Sequence, residues 1–376
     1  MLCLLCPKTL GYLARSATRP FSPSFSTSTA DKTSFTVSYL IDKGFSQEAA
    51  LEISKRARFG TSTKPDSVLT LLRNSGLTDS QLYDVIRKRP WLLSCDPNKN
   101  IQPKFEFLLS KGASRSDIVH MVTTSPRFLK RSLKNHIIPQ YELVKKIVQT
   151  DKAAILCFKR YAKLLSFSHT CAAHNIDLLL ENGVTESVIA RLILLRTSLL
   201  EISSSELKKS IVEIKDLGIV PSKVQFLWAL IAKLSMKESK WDAKVDAFKE
   251  WGWPEELVLE AFKRDPLIML ASLNRINAVM SFWVNELGWN SLVLAEGPRV
   301  FRYSFEKRII PRASVVHFLL SKGLISEKAN LFTPLDLTEE LFLRKYVECF
   351  RKESSQILKL YKKKLSLTDK KENGSM

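Results

Sequence analysis

The chain has 376 residues, 45% of them apolar, with only 12 Gly and 15 Pro: enough for a sizeable core, too few breakers for an all-β or disordered chain. Lys and Arg number 58 against 38 Asp and Glu, a formal charge of +20 with a pI near 9.7, which favours a polyanionic partner, nucleic acid before an anionic membrane surface. No apolar run is long enough to cross a bilayer, since "VIARLILLRTSLL" is broken by Arg191 and Arg196. Of the six cysteines, Cys3 and Cys6 have CxxC spacing within the N-terminal thirty residues, and the other four follow neither a disulfide nor a zinc spacing, which suits a reducing compartment.

The first thirty residues stand apart. They hold Lys8, Arg15 and Arg19, no acid before Asp31, and the hydroxyl-rich stretch "SPSFSTST". Basic, acid-free and Ser/Thr-rich is the composition of an organelle transit peptide, expected over residues 1–30. "RPFS" at 19–22 reads as a mitochondrial processing neighbourhood, with a chloroplast address as the alternative.

Beyond this segment the chain repeats itself. A glycine slot falls at Gly76, Gly112, Val148, Gly183, Gly218, Gly252, Gly288 and Gly323, in steps of 34 to 36 residues, broken in identity only by Val148. Gly44, 32 residues before Gly76, marks a degenerate first unit. A second mark follows fourteen residues after six of the slots: Pro90, Pro126, Ala162, Thr197, Ala232 and Pro266; after Gly288 it arrives early, at Pro298. Two and three residues past each mark lies an apolar pair, from Leu92-Leu93 and Phe128-Leu129 through Leu164-Leu165, Leu199-Leu200 and Ile268-Met269 to Val300-Phe301; Leu234-Ser235 alone is imperfect.

Each unit has a physical reading. In "LTDSQLYDVIRKR", Thr78 or Asp79 is placed to cap a helix whose buried face is Leu82, Val85 and Ile86. Pro90 ends that helix and the apolar pair plugs the turn into the core. A second helix follows in "IQPKFEFLLSKG", with Ile101, Phe105, Leu108 and Leu109 as its buried stripe, Pro103 in its first turn and Gly112 past its end. One such hairpin cannot bury both faces, whereas a stack of them can. The substitutions Ala162, Thr197 and Ala232 leave open whether the central units keep the same break.

"PWLL", "PRFL" and "PLIM" at the mid-unit break, "IQPKFEFLLSKG" and "RIIPRASVVHFLLSKGLI" in second helices, and "LDLTEELFLRKYV" at 335–347 resemble the mitochondrial transcription termination factor (mTERF) family, most closely its plant organellar branch. The resemblance covers about residues 38–350. It implies an all-α fold, an α-solenoid superhelix of about eight to nine repeats of some 35 residues, each of two α-helices and a short 3₁₀ turn, with a basic inner groove. Members of the family bind double-stranded DNA, and some act on RNA.

The charge follows the repeat. Every break has a basic residue within three positions, and the candidate nucleic-acid contacts are Arg89, Arg127, Lys130, Arg131, Arg160, Lys163, Arg196, Lys233, Arg264, Arg299 and Arg302. Arg127, Arg131, Arg160, Arg196 and Arg264 are the candidates for base contacts, because a guanidinium can bond guanine O6 and N7 together. The basic segment 351–376, with Lys362, Lys363 and Lys364, either extends the last helix or forms a solubilising tail.

His169, Cys171 and His174 lack a fourth metal ligand, and six tryptophans between Trp228 and Trp289 read as core before base-stacking platforms. No phosphate-cradling glycine loop or hydrolase motif occurs. The expected function is therefore noncatalytic, with no cofactor and no metal: a monomeric organellar regulator that grips duplex DNA in a basic groove and modulates transcription, typically its termination. An RNA factor for transcript maturation or splicing is the alternative, and a protein-interaction scaffold, with transcription or splicing proteins as partners, is the second. The compartment is the mitochondrion, or alternatively the chloroplast.

Overall fold

A computed structural model describes residues 29–372, and within them the chain is built from helices and turns with no strand. The expected address segment lies outside the described residues except for its last two positions, which open the first helix, Thr29–Asp42.

The chain forms two compact units that part after Pro97, inside the repeat that runs from Gly76 to Gly112. The first holds Thr29–Asp42, Gln47–Arg56, Thr63–Asn74, Asp79–Lys88 and the 3₁₀ turn Pro90–Ser94. Its most deeply buried residues are aliphatic, with Leu40, Ile53, Val68, Leu72, Leu82, Val85, Ile86, Leu92 and Leu93 all essentially inaccessible, and Tyr39, Phe45 and Phe59 add buried rings. Thr78 caps Asp79–Lys88 in a reciprocal capping box with Gln81, so two of the four donors orphaned at a helix start are satisfied by side chains.

The second unit repeats a three-part pattern. First helices are Arg115–Thr124, Asp151–Arg160, Glu186–Leu195, Val224–Lys233 and Glu255–Arg264; second helices include Gln102–Ser110, Ile138–Val148, His169–Glu181, Ser204–Asp216, Glu238–Lys249, Leu273–Ser281 and Ile310–Ser321. Between them stand the 3₁₀ turns Pro126–Lys130, Ala162–Ser166, Thr197–Glu201, Pro266–Leu270 and Pro298–Arg302. In the unit opened by Gly288 the first helix shrinks to a 3₁₀ turn, Ser291–Ala295, which is why Pro298 comes early. This is the helical-repeat solenoid that the periodicity predicts.

Two expectations are corrected in detail. The left-handed residue of the third slot is Gln149, at φ 71°, not Val148, which packs into the core. All eight glycines of the series, from Gly44 to Gly323, have positive φ, so Gln149 carries the backbone strain that glycine avoids elsewhere. Leu109 is 42% exposed and leaves the buried stripe to Phe105 and Leu108, since adjacent helical residues point about 100° apart.

Two second helices also begin differently from the simple reading. Leu133–Ile137 and Phe305–Ile309 are wide π turns that lead directly into Ile138–Val148 and Ile310–Ser321, whose second residues are Pro139 and Pro311. A wide turn joined to a regular one accommodates a residue with no N–H without ending the helix.

The mid-unit break survives the loss of proline twice. Tyr161 (φ −142°, ψ 70°) and Arg196 (φ −144°, ψ 70°) enter their turns in the geometry of Ser125 before Pro126 (φ −145°, ψ 71°). Leu164, Leu165, Leu199 and Leu200 are at most 1% exposed, each side chain stabilising the fold by about 1.5–3 kcal/mol through burial. At Ala232 the break fails: Val224–Lys233 runs into Leu234 in right-handed helical geometry, and no 3₁₀ turn follows.

The segment after 350 is not a loose tail at its start. Ser354–Glu372 is a helix whose Ile357 and Tyr361 are buried against Val315, Leu319, Phe342 and Val347. The repeat core therefore continues beyond the expected boundary at residue 350.

Candidate nucleic-acid interface

The 3₁₀ turns of the second unit lie side by side. Pro126–Lys130 packs on Ala162–Ser166, which packs on Thr197–Glu201; further along, Val224–Lys233 meets Pro266–Leu270, which meets Pro298–Arg302. Each turn is anchored by its buried apolar pair, so the alternate side chains are driven outward. In "PRFLK" this buries Phe128 and Leu129 and exposes Arg127 and Lys130.

The expected cations fall into three groups. Arg127 and Lys130 are exposed and have no side-chain partner among the described residues. Arg299 is exposed beside the half-buried Tyr303, whose hydroxyl donates to Asp336. Arg89 belongs to the first unit, half-buried, with one guanidinium nitrogen donating to Lys88 O at 2.9 Å.

A second group is neutralised by the protein. Lys163 sits 2.6 Å from Glu201, which also accepts from Tyr161 at 2.9 Å; that carboxylate raises the Lys163 ammonium above its ordinary pKa. Lys233 pairs with Glu213 at 2.8 Å and lies 4.1 Å from the Trp241 ring centre, and Arg302 pairs with Asp265 at 3.0 Å.

The third group was not foreseen in its role. Arg160 donates to Leu194 O at 2.6 Å, Arg196 to Leu234 O at 3.3 Å and to the Ser235 hydroxyl, and Arg264 to Ala295 O at 2.9 Å. In the first unit Arg56 does the same to Arg87 O at 3.5 Å and Lys88 O at 3.3 Å. Each arginine stands at the end of one first helix, or one residue past it, and reaches the carbonyl end of the next repeat's corresponding segment. Those carbonyls have no partner within their own helix and sit at its negative pole, so a cation there satisfies both. Arg131 makes a related contact from turn to turn, its Nε donating to Ser166 O at 3.0 Å.

Of the five arginines expected to read bases, four are thus partly occupied in joining repeats, and Arg127 has its fork free of protein partners among the described residues. A guanidinium has five donors, so the four are positioned by these bonds and retain others. The signal that marks Arg160, Arg196 and Arg264 in the sequence is their place one or two residues before the mid-unit mark at 162, 197 and 266. The acids that neutralise neighbouring cations, Glu201 and Asp265, are not marked as partners by their place in the sequence, because pairing depends on which turn lies alongside.

Of the other candidate groups, the buried ones serve packing. His136 and His169 meet edge to face at 6.5 Å, and burial, then the Arg131 charge, lowers the His136 pKa; Cys171 and His174 are exposed. Trp253 stacks on Phe248, Trp283 on Phe332, and both indoles are buried. A cavity of about 350 Å³ beside the last turn is lined by charges of both signs, including Arg264, Arg299, Asp265 and Asp336. Among the described residues, no helix is long and apolar enough to cross a membrane.

Comparison with known proteins agrees with this architecture. The mTERF family model matches residues 69–277 and 198–343, overlapping stretches that together span well over half of the chain. The chain is also similar to "Transcription termination factor 1, mitochondrial" of Homo sapiens, 25% identical over 309 residues that cover 79% of this chain and 70% of that protein. Repeat, turn row and family match converge, and this chain belongs to the mTERF family.

Proposed function

We propose that this protein is a noncatalytic nucleic-acid-binding regulator of organellar gene expression, and that its ligand is duplex DNA held along the row of 3₁₀ turns. The carrying observation is the exposed pair Arg127 and Lys130, without a side-chain partner among the described residues, on a turn whose buried residues fix its orientation. Phosphate contacts from such a row give affinity and orientation, and sequence choice rests on the few guanidinium groups that reach base edges. Occupation of the template by a stack of repeats would obstruct a polymerase, which is the action expected of a terminator. Mitochondrial residence is supported by the composition of residues 1–30 and by the name of the human relative. RNA is the competing ligand.

The test is binding of a 30-base-pair duplex and its matched RNA, followed by fluorescence anisotropy across a salt series. The double variant Arg127→Gln/Lys130→Gln should lower the magnitude of the log–log salt slope by about 1.8 if each residue contacts one phosphate. A slope identical to that of the parent protein would refute the assignment of the turn row. Stronger binding of the RNA at every salt concentration would move the function to transcript maturation.

A further inference from the structure

The helix Ser354–Glu372 presents a second cationic surface unlike those of the repeats. One face is committed to the core, with Ile357 fully buried and Tyr361 3% exposed. The tyrosine hydroxyl donates to Glu339 Oε1 at 2.6 Å, and Arg312 donates to Glu339 Oε2 at 2.8 Å. Arg312 is itself 2% exposed, with its other terminal nitrogen on Pro334 O at 3.0 Å and Leu337 O at 2.6 Å. Burial and the Glu339 hydrogen bond push the Tyr361 hydroxyl up to about 12, so it remains a donor at any physiological pH. Glu339 is held below the usual carboxylate range: burial opposes this, but the bonds from Tyr361 and Arg312 outweigh it. The latch fixes the helix on the last repeat and fixes which face looks outward.

That outward face carries Ser355, Lys359, Lys362, Lys363 and Ser366 around a shallow groove of about 550 Å³, whose lining also includes Leu358, half-buried and packed on the core. The lysines are exposed, and none has a carboxylate partner among the described residues. Elsewhere on exposed helices cations sit three or four residues from an acid, as in Lys209–Glu213, Lys263–Glu260 and Arg87–Asp84. Lys359 has Lys362 and Lys363 at those same spacings, an arrangement that repels itself and destabilises a helix unless a polyanion covers it.

A basic amphipathic helix is also a membrane-surface device, but that use needs a free apolar face to enter the headgroup layer. Here the apolar face is already spent on Val315, Leu319, Phe342 and Val347. We infer that the C-terminal helix is a second phosphate-binding site, in which Lys359, Lys362 and Lys363 contact a nucleic-acid backbone apart from the turn row. The inference rests on the nucleic-acid reading above.

The full chain and the variant Lys359→Gln/Lys362→Gln/Lys363→Gln would be titrated with the 30-base-pair duplex between 50 and 200 mM salt. Three lost phosphate contacts lower the slope by about 2.7, which shrinks the affinity lost across that range by about fortyfold. Circular dichroism checks that the fold is intact, as expected for exposed substitutions. If the parent protein binds no nucleic acid, the functional reading fails; if the parent binds and the triple variant keeps the same slope, this inference fails alone. A parallel arm with vesicles of phosphatidylglycerol and phosphatidylcholine completes the test, and a loss confined to the vesicles would overturn the assignment in favour of a lipid surface.

Discussion

Three consecutive repeats replace the mid-unit proline, yet only two of them keep the turn. The units at Ala162 and Thr197 retain a leucine pair and enter the 3₁₀ turn at the same backbone angles as their proline-bearing neighbours. The unit at Ala232 has Leu234 and Ser235 instead, and its helix ends in a hydrogen-bonded turn with Ser235 half-buried. What places the break is the burial of two large side chains beneath it. Proline biases the entering residue toward that geometry but does not create it. The arginine contact from the preceding repeat is kept even where the pair is lost: Arg196 bonds Leu234 O and the Ser235 hydroxyl as Arg160 bonds Leu194 O.

Copying the failed pair into an intact turn is the most severe way to break this comparison. Leu165→Ser should destabilise the protein by about 4 kcal/mol, the cost of a large-to-small change in a closed core plus a hydroxyl left beneath the turn. Chemical denaturation measures it, and an unchanged midpoint would show that the pair is dispensable.

Restoring proline at the two alanine positions sharpens the contrast, because the two substitutions should differ in sign. Ala232→Pro, inside Val224–Lys233, removes a helical hydrogen bond and should cost about 3 kcal/mol. Ala162→Pro, at the first position of a turn already in the proline geometry, should stabilise by about 0.5 kcal/mol. Equal effects of the same sign would mean that the two breaks do not differ as described.

An effect smaller than that of the helix-breaking substitution concerns how one repeat is joined to the next. Asp117 caps its own helix through Ser114 and pairs with Lys159 of the next repeat at 2.6 Å; the lysine first, then the serine, hold its pKa at about 2. A carboxylate depressed in the folded state contributes stability above its unfolded pKa, near 4, and loses it as pH falls through about 2. Asp117→Asn should therefore cost roughly 1 kcal/mol at neutral pH and flatten the stability profile between pH 4 and pH 2, read from thermal midpoints. A profile as steep as that of the parent would assign the acid sensitivity to other groups.

Much of this molecule is legible in one dimension because a repeat writes its register many times over. Glycine is demanded wherever a helix must end with positive φ, so the slots from Gly44 to Gly323 mark the second-helix ends without reference to any neighbour. Gln149 escapes the pattern because a strained residue leaves no compositional mark, and its flanking Val148 matches the spacing instead. The candidate interface is legible only in part. Arg127 and Lys130 alternate with a buried pair and so must face outward, whereas Arg160, Arg196 and Arg264 look equivalent to them until the next repeat's carbonyls are in place.

The sequence by itself determined the helical class, the unit length, the cationic character and the turns that keep an apolar pair, because each is set by local pattern repeated from unit to unit. Only the tertiary structure decided which cations remain available to a ligand, because Glu201 and Asp265 meet Lys163 and Arg302 from positions 37 to 38 residues away. It also decided that the segment after residue 350 belongs to the core, since Tyr361 finds Glu339 and Arg312 only once the last repeat is packed. Charge is a property of residues, but its availability depends on which carbonyls and carboxylates the stack brings within 3 Å.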